Sequence, residues 1–302
     1  MHSFYSHGKL LLTAEYLVLD GAKALAIPTK KGQSLTITPL DTSKLVWQSI
    51  LHDGTLWFET EISLPLSQYI KSDNPIIQKL YEVLTEAQSL NPDFLKSSQG
   101  YKAISTLEFP RNWGLGSSST LIANIAQWAH VNPYELLEKT FGGSGYDIAC
   151  ATSHTPITYI RQKATPAVTP IIFNPSFKDQ LFFIHLNKKQ NSRESISHYR
   201  NIKTEERAIQ VKTFTLFTEA MIASQNSLSR FEALIIDHES ELSKIVQTPT
   251  VKKQLFPAYP KAIKSLGGWG GDFILAIGTY EEMSYFREKG YTTILSFSEM
   301  IL

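Results

Sequence analysis

The class this sequence predicts is α+β in two domains, on three observations. Strand-like and helix-like stretches are mixed along the chain without the regular βαβα alternation of a parallel sheet. The 302 residues, 42% hydrophobic and 19% charged, give enough apolar surface for two domains with a sizeable core. Near residues 165–178 the pattern shifts from short strands with prolines to long amphipathic helices, which sets the expected domains at 1–170 and 171–302.

Taken in order, the run from Lys9 to Gly21 reads as a strand, a short turn and a second apolar stretch that closes on Asp20-Gly21. Ser34–Pro39 alternates as a strand. Lys44–Ile50 and Thr55–Glu61 flank Asp53-Gly54, a strong hairpin signal. Residues 74–90 carry Ile76, Ile77, Leu80, Val83 and Leu84 at helical spacing behind an Asn74-Pro75 start. Ala103–Phe109 is a strand, and Leu121–Trp128 an apolar helix. Asn132-Pro133-Tyr134-Glu135 joins a cap, a proline at the first helical position and an acid, opening a short helix to about Lys139. Thr155–Phe173 is strand-like. Beyond it the pattern predicts a strand at Asp179–Leu186 and helices at Ser192–Ile202, 204–224 and 228–247. A strand at Asp272–Gly278, a helix at Glu281–Lys289 and a strand at Tyr291–Phe297 complete the chain.

Composition narrows the function classes. A formal net charge of +1 gives no electrostatic case for nucleic acid or an anionic membrane surface. Basic groups that matter are therefore expected around a small anionic ligand. The single cysteine, Cys150, excludes an intramolecular disulfide and suits a reducing compartment. The first residues lack the basic start and apolar core of a signal peptide, and no apolar run is long enough to span a bilayer. A soluble, cytoplasmic protein without nucleic-acid or membrane partners is expected; monomer and homodimer both stay open.

Four stretches are richer in glycine and polar residues than packing requires. In Phe109–Thr120 a strand meets a proline, then Gly114-Leu115-Gly116-Ser117-Ser118-Ser119, then a helix. The glycines allow a tight turn and close approach to a ligand, and the helix start offers unpaired N–H groups and a positive dipole end. That is an anion site, or else an ordinary helix capped by Ser or Thr. His7-Gly8-Lys9 places a lysine at the mouth of a strand, where it is either functional or merely exposed. Gly142–Cys150 pins Asp147 between a glycine-rich turn and an apolar segment; it is a candidate catalytic carboxylate made more basic by partial burial, or a helix cap. Leu266–Phe273 has four glycines before a strand and reads as a ligand-facing loop or a structural turn.

Together these stretches resemble the GHMP kinases (galactokinase, homoserine kinase, mevalonate kinase, phosphomevalonate kinase) over nearly the whole chain. Gly8-Lys9 through Gly21 is similar to the family's PGKxxLxGEYxVLDG start. Pro110 through Ser119 is similar to PxxxGLGSSA, and Gly267 through Asp272 to its GAGGGD loop. GSGYDIA and the GGD ending look closest to the mevalonate and phosphomevalonate kinase branch. The resemblance implies the two-domain GHMP fold: an N-terminal α/β domain with the phosphate loop, a ferredoxin-like C-terminal α/β domain, and the active site in the cleft between them.

It also implies roles, with ATP and Mg²⁺ as the expected nucleotide and metal. Gly114, Leu115, Gly116, Ser117, Ser118 and Ser119 would cradle the ATP phosphates. Ser118 would sit near Mg²⁺, with Glu138 a looser second metal ligand. Lys9 would neutralise charge at the transferred phosphoryl, and Asp147 would face it and orient or deprotonate the acceptor. Substrate contacts are expected from Glu15, Ser144, Gly145, Gly268 and Gly270, and from Lys188, Ser192 and Arg193 in a basic turn that is otherwise a solvated helix start. His7 replaces the family proline, Ala14 the glycine before Glu15, and Trp269 interrupts the third glycine run. The implied activity is phosphorylation of a small anionic acceptor in isoprenoid synthesis, phosphomevalonate first and mevalonate second. A diphosphomevalonate decarboxylase-like enzyme and a non-catalytic nucleotide or metabolite sensor are the alternatives.

Overall fold

The computed structural model describes residues 1–66, 72–162, 165–188, 199–201, 204–267, 269 and 271–302. The mixed α+β class holds. The described chain gathers into two units, each assembled from separate stretches: 1–8, 31–111 and 115–152 in the first, and 9–30, 112–114 and 153–302 in the second. Two long strands, β1 (His2–Leu11) and β2 (Ala24–Leu40), contribute residues to both.

In the first unit, β3 (Lys44–Ile50) and β4 (Leu56–Ser63) form the hairpin that Asp53-Gly54 foretells, with Gly54 at φ 86° and the Asp53 carboxylate accepting from Thr55 N–H at 2.9 Å. β3 runs parallel to β5 (Gly100–Leu107), and β5 pairs antiparallel with residues 33–40 of β2. Leu45 and Trp47 alternate inward along β3. They share one core with Leu80 and Leu84 of α1 (Pro75–Leu90), Ile122 and Ile125 of α2 (Ser117–Ala129), and Leu136 of α3 (Pro133–Thr140). Both proline-started helices begin as expected: the Asn74 and Asn132 side chains accept N–H bonds from Ile76 and Tyr134 at 2.9 Å. A short helix, α4 (Tyr146–Ala151), follows the glycine-rich turn.

In the second unit, residues 24–26 of β2 pair with β6 (Ile157–Ile160), which pairs with β7 (Ala167–Pro170). A separate antiparallel sheet has the order β11-β8-β10-β9, from Leu181–His185 (β8), Ile263–Leu266 (β9), Phe273–Ile277 (β10) and Ile294–Ser296 (β11). Every residue of β8 and β10 is buried, so these central strands are covered on both faces and, His185 at the end of β8 apart, read as apolar runs. Two long helices, α5 (Thr204–Ala223) and α6 (Leu228–Ile245), match the periodic segments; α7 (Val251–Leu255) and β9 escape a periodicity argument because each is so short. The helix expected over 281–289 shrinks to α8 (Ser284–Arg287), since the Glu282 carboxylate turns back to accept from Thr279 N–H at 2.7 Å. A last turn of helix, α9 (Phe297–Met300), is fixed by a Ser296–Glu299 capping box. The helix expected over 192–202 falls largely outside the described residues. No described helix is long and apolar enough to cross a membrane.

Candidate functional site

Helix α2 starts without a side-chain cap. Its N-cap is Gly116, held at φ 91° in the left-handed region, and Gly114 two residues earlier stands at φ 65°. Glycine accepts this backbone at little cost. Ser117, Ser118 and Ser119 therefore lie inside the first helical turn, where N–H groups and the positive dipole end are available to an anion. Ser119 is buried and donates back to Gly116 O at 2.8 Å, whereas Ser118 is exposed. Leu115 is buried and anchors the turn.

The start of α2 is pinned to β2 by a buried polar chain. Thr120 Oγ1 bonds Gln33 Oε1 at 2.5 Å, Gln33 Nε2 donates to Ser105 Oγ at 2.6 Å, and Asn124 Nδ2 donates to Gln33 O at 2.9 Å. Beside it lies a cavity of about 140 Å³ lined by Ser117, Ser118, Ser49, Ser105, Trp57 and Arg111, among others. The Arg111 guanidinium stacks 3.9 Å over the Trp57 ring at its edge. This cavity lies wholly within the first unit.

In the second unit, the Lys9 ammonium donates to Gly114 O at 3.1 Å. The half-buried Lys9 lines a cleft no larger than a water molecule together with Gly114, Trp113, Leu266, Gly267 and Asp272. A side chain on Gly114 would place its Cβ 2.0 Å from Asp272 Oδ2, so the acid occupies the space that the glycine leaves. His185 braces the same turn, with Nε2 3.2 Å from Asn112 O and its ring against Trp113 and Phe273.

The remaining expected residues lie on other elements. Asp147 is half-buried in the first turn of α4, whose N-cap is Gly145 at φ 85°; its side chain is not the helix cap. Burial pushes the Tyr134 phenol up to about 12, with the charges of Cys150 and Asp147 adding to the effect. Ser144 is half-buried beside Gly145, and Glu138 is exposed near the end of α3. Lys188 is exposed, and its carbonyl accepts from Asp272 N–H at 3.2 Å. Ser192, Arg193, Gly268 and Gly270 lie outside the described residues. Among the described residues, no group of three or more His, Cys, Asp or Glu side chains is arranged to hold a metal ion.

Glu15, expected among the substrate contacts, is 2% exposed and belongs to a buried charge cluster that spacing did not reveal. Its Oε1 lies 2.5 Å from the Lys264 ammonium, which also reaches Glu239 Oε1 at 3.4 Å. Glu239 Oε2 accepts from Ser265 Oγ at 3.0 Å, while His238 Nε2 lies 3.4 Å from Glu15 Oε2 and accepts from Ala14 N–H at 3.3 Å. Burial raises Glu15 and lifts Glu239 to about 7, with Lys264 opposing both. Burial, helped by the Lys264 charge, keeps His238 well below its usual range and so neutral. The available signal was Lys264 within the apolar run Ala262–Leu266, a lysine where a buried strand has no room for an unpaired charge.

No protein-family model matches the chain, and no curated protein sequence does either. Solved structures do. The Streptococcus pneumoniae phosphomevalonate kinase in complex with phosphomevalonate and AMPPNP superposes with a TM-score of 0.71 at 15% identity, over 98% of this chain and 100% of that one. A mevalonate kinase gives 0.71 at 15% identity over 98% of each chain. Lactococcus lactis galactokinase complexed with galactose gives 0.70 at 14% identity, over 99% and 93%. The chain has the two-domain fold of the GHMP kinases.

Proposed function

We propose that this protein is an ATP-dependent small-molecule kinase of the isoprenoid branch, transferring the γ-phosphoryl group to phosphomevalonate or a close relative. The observation that carries the reading is the uncapped start of α2: a positive-φ glycine turn delivers N–H groups beside a 140 Å³ cavity rimmed by Trp57 and Arg111. Backbone donors at a helix start suit the phosphate tail of a nucleotide, and a cavity lined in part by the rings of Trp57 and Phe141 suits its base. The fold shared with phosphomevalonate and mevalonate kinases supports the same reading.

Phosphoryl transfer asks mostly for positioning and charge stabilisation. The turn from Gly114 to Ser119 would hold the phosphates, and the Lys9 ammonium would offset charge gathering on the transferred group. Asp147 would orient the acceptor or take its proton. Mg²⁺ prefers oxygen donors, keeps several waters and is commonly carried on substrate phosphates. Ser118 and Glu138, both exposed, offer the hydroxyl and carboxylate for it; the metal, when bound, would screen the phosphate charge. Ser144, Gly145, Lys188, Ser192, Arg193, Gly268 and Gly270 are the proposed acceptor contacts.

A hydroxyl acceptor gains directly from a base such as Asp147, which keeps mevalonate as the second reading. The test is a coupled ADP-release assay over mevalonate, phosphomevalonate, diphosphomevalonate, homoserine and common sugars. Turnover with phosphomevalonate is expected. ATP binding without ADP release from any acceptor would replace the kinase by a nucleotide sensor. Lys9→Met and Asp147→Asn should each lower kcat by at least ~100-fold, the scale of losing a charge-stabilising or proton-handling group.

A further inference from the structure

Two features of the second unit have no place in that mechanism: a fully buried set of charges and a strained turn. Glu15 stands between Ala14 and Tyr16, both non-glycine residues in the left-handed region at φ 63° and 64°. Such backbone persists only where its surroundings over-determine it. Here Ala14 N–H is taken by His238 on α6, the Glu15 carboxylate by Lys264 on β9, and the Tyr16 hydroxyl accepts from Trp269 N–H at 2.8 Å. Both ends of the cluster lead along their strands to the Lys9 cleft. Lys9, Leu10 and Leu11 lead along β1 into this turn, and Lys264 is followed along β9 by Leu266 and Gly267, which line the same cleft.

We propose that Glu15, Lys264 and Glu239 form a buried charge latch that positions Lys9 by tying the turn that follows β1 to β9, so that β1 and β9, which both line its cleft, are held together. This rests on the kinase reading for its effect on catalysis, but not for its effect on folding. The groups acting on Glu239 are Lys264 and Ser265 from β9 and Glu15 from the adjoining turn, while His238, its neighbour on α6, lies against Glu15. His238 is neutral, so one ammonium faces two carboxylates. The latch is balanced when one of them carries a proton and strained when both are ionised. Glu239 titrates near 7, so the balance shifts across neutrality.

Positioning predicts effects that lost packing alone does not. Glu15→Gln should lower kcat by about 10- to 100-fold, as displacing a reacting group does, with KM for ATP held within about twofold because the uncapped α2 start is untouched. Glu239→Gln removes the near-neutral ionisation and keeps the Ser265 bond. Wild-type kcat should decline as pH rises through about 7, and that step should vanish in Glu239→Gln. Melting temperatures give a readout independent of turnover. The folded state retains the Glu239 proton up to about 7 while the unfolded chain releases it near 4.5, so this group's contribution is full at acid pH and lost as pH rises through 7. Glu239→Gln should therefore melt level with wild type near pH 5 and above it at pH 8. Identical wild-type and Glu239→Gln profiles in both kcat and melting would overturn the latch, as would unchanged kcat in Glu15→Gln. If Glu15→Gln does not fold, Glu239→Gln decides. If wild type releases no ADP with any acceptor, the kinase reading fails while the melting comparison still upholds or overturns the latch.

Discussion

Gly114 shows how much one position can carry. Its φ of 65° is open to glycine, and the space a methyl group would need is taken by the Asp272 carboxylate, 2.0 Å from the hypothetical Cβ. Gly114→Ala therefore meets two obstacles, and should cost about 1–3 kcal/mol in urea unfolding. Combining it with Asp272→Ala should return part of that loss, because the two sites share one volume and their effects do not add. Arg111 offers a milder test: Arg111→Ala should raise KM for ATP by about threefold, the size of an exposed cation–π contact. At this scale the sequence was partly transparent. The glycines and serines of the turn were visible because few residues adopt those backbones. Asp272 ended a recognised motif, but that its carboxylate fills the Gly114 side-chain position depends on a fold-level approach of two distant segments. Arg111 on Trp57 and Lys264 against Glu15 were hidden for the same reason.

At the scale of elements, local chemistry was the better guide. Asn74-Pro75 and Asn132-Pro133 start helices where written, and Asp53-Gly54 turns a hairpin. Asn132→Ala should lower stability by about 1 kcal/mol, read as a fall in melting temperature, since the cap bond to Tyr134 N–H is lost. Long periodic segments such as α5 and α6 were equally legible. Short ones were not, because four or five residues hold only about one helical turn or two strand repeats, too few for a pattern to stand out, as α7 and β9 show. β1 reaches back to His2, well before the apolar run at Leu10, and this start was not legible because residues 2–5 are mostly exposed and show no alternating burial. Two helix starts rich in Ser or Asp, α2 and α4, are capped by glycine instead of a side chain. Both are the starts to which the functional reading assigns ligands.

At the scale of the whole molecule, the segment 9–30 belongs with residues 153–302. Thr13 bonds Thr218 at 2.7 Å, Asp20 accepts from Tyr199 at 2.5 Å, and Glu15 neutralises Lys264. A fragment of residues 153–302 alone would leave Lys264 facing Glu239 without Glu15 and Thr218 without its bonds to Thr13 and Lys23. It should show no cooperative melt by circular dichroism, whereas the full chain should. The same dependence has a converse. A synthetic peptide spanning 9–30, added in trans, should behave as a ligand for that fragment, saturably restoring its melting transition. Its Glu15→Gln counterpart should require a higher concentration to do so.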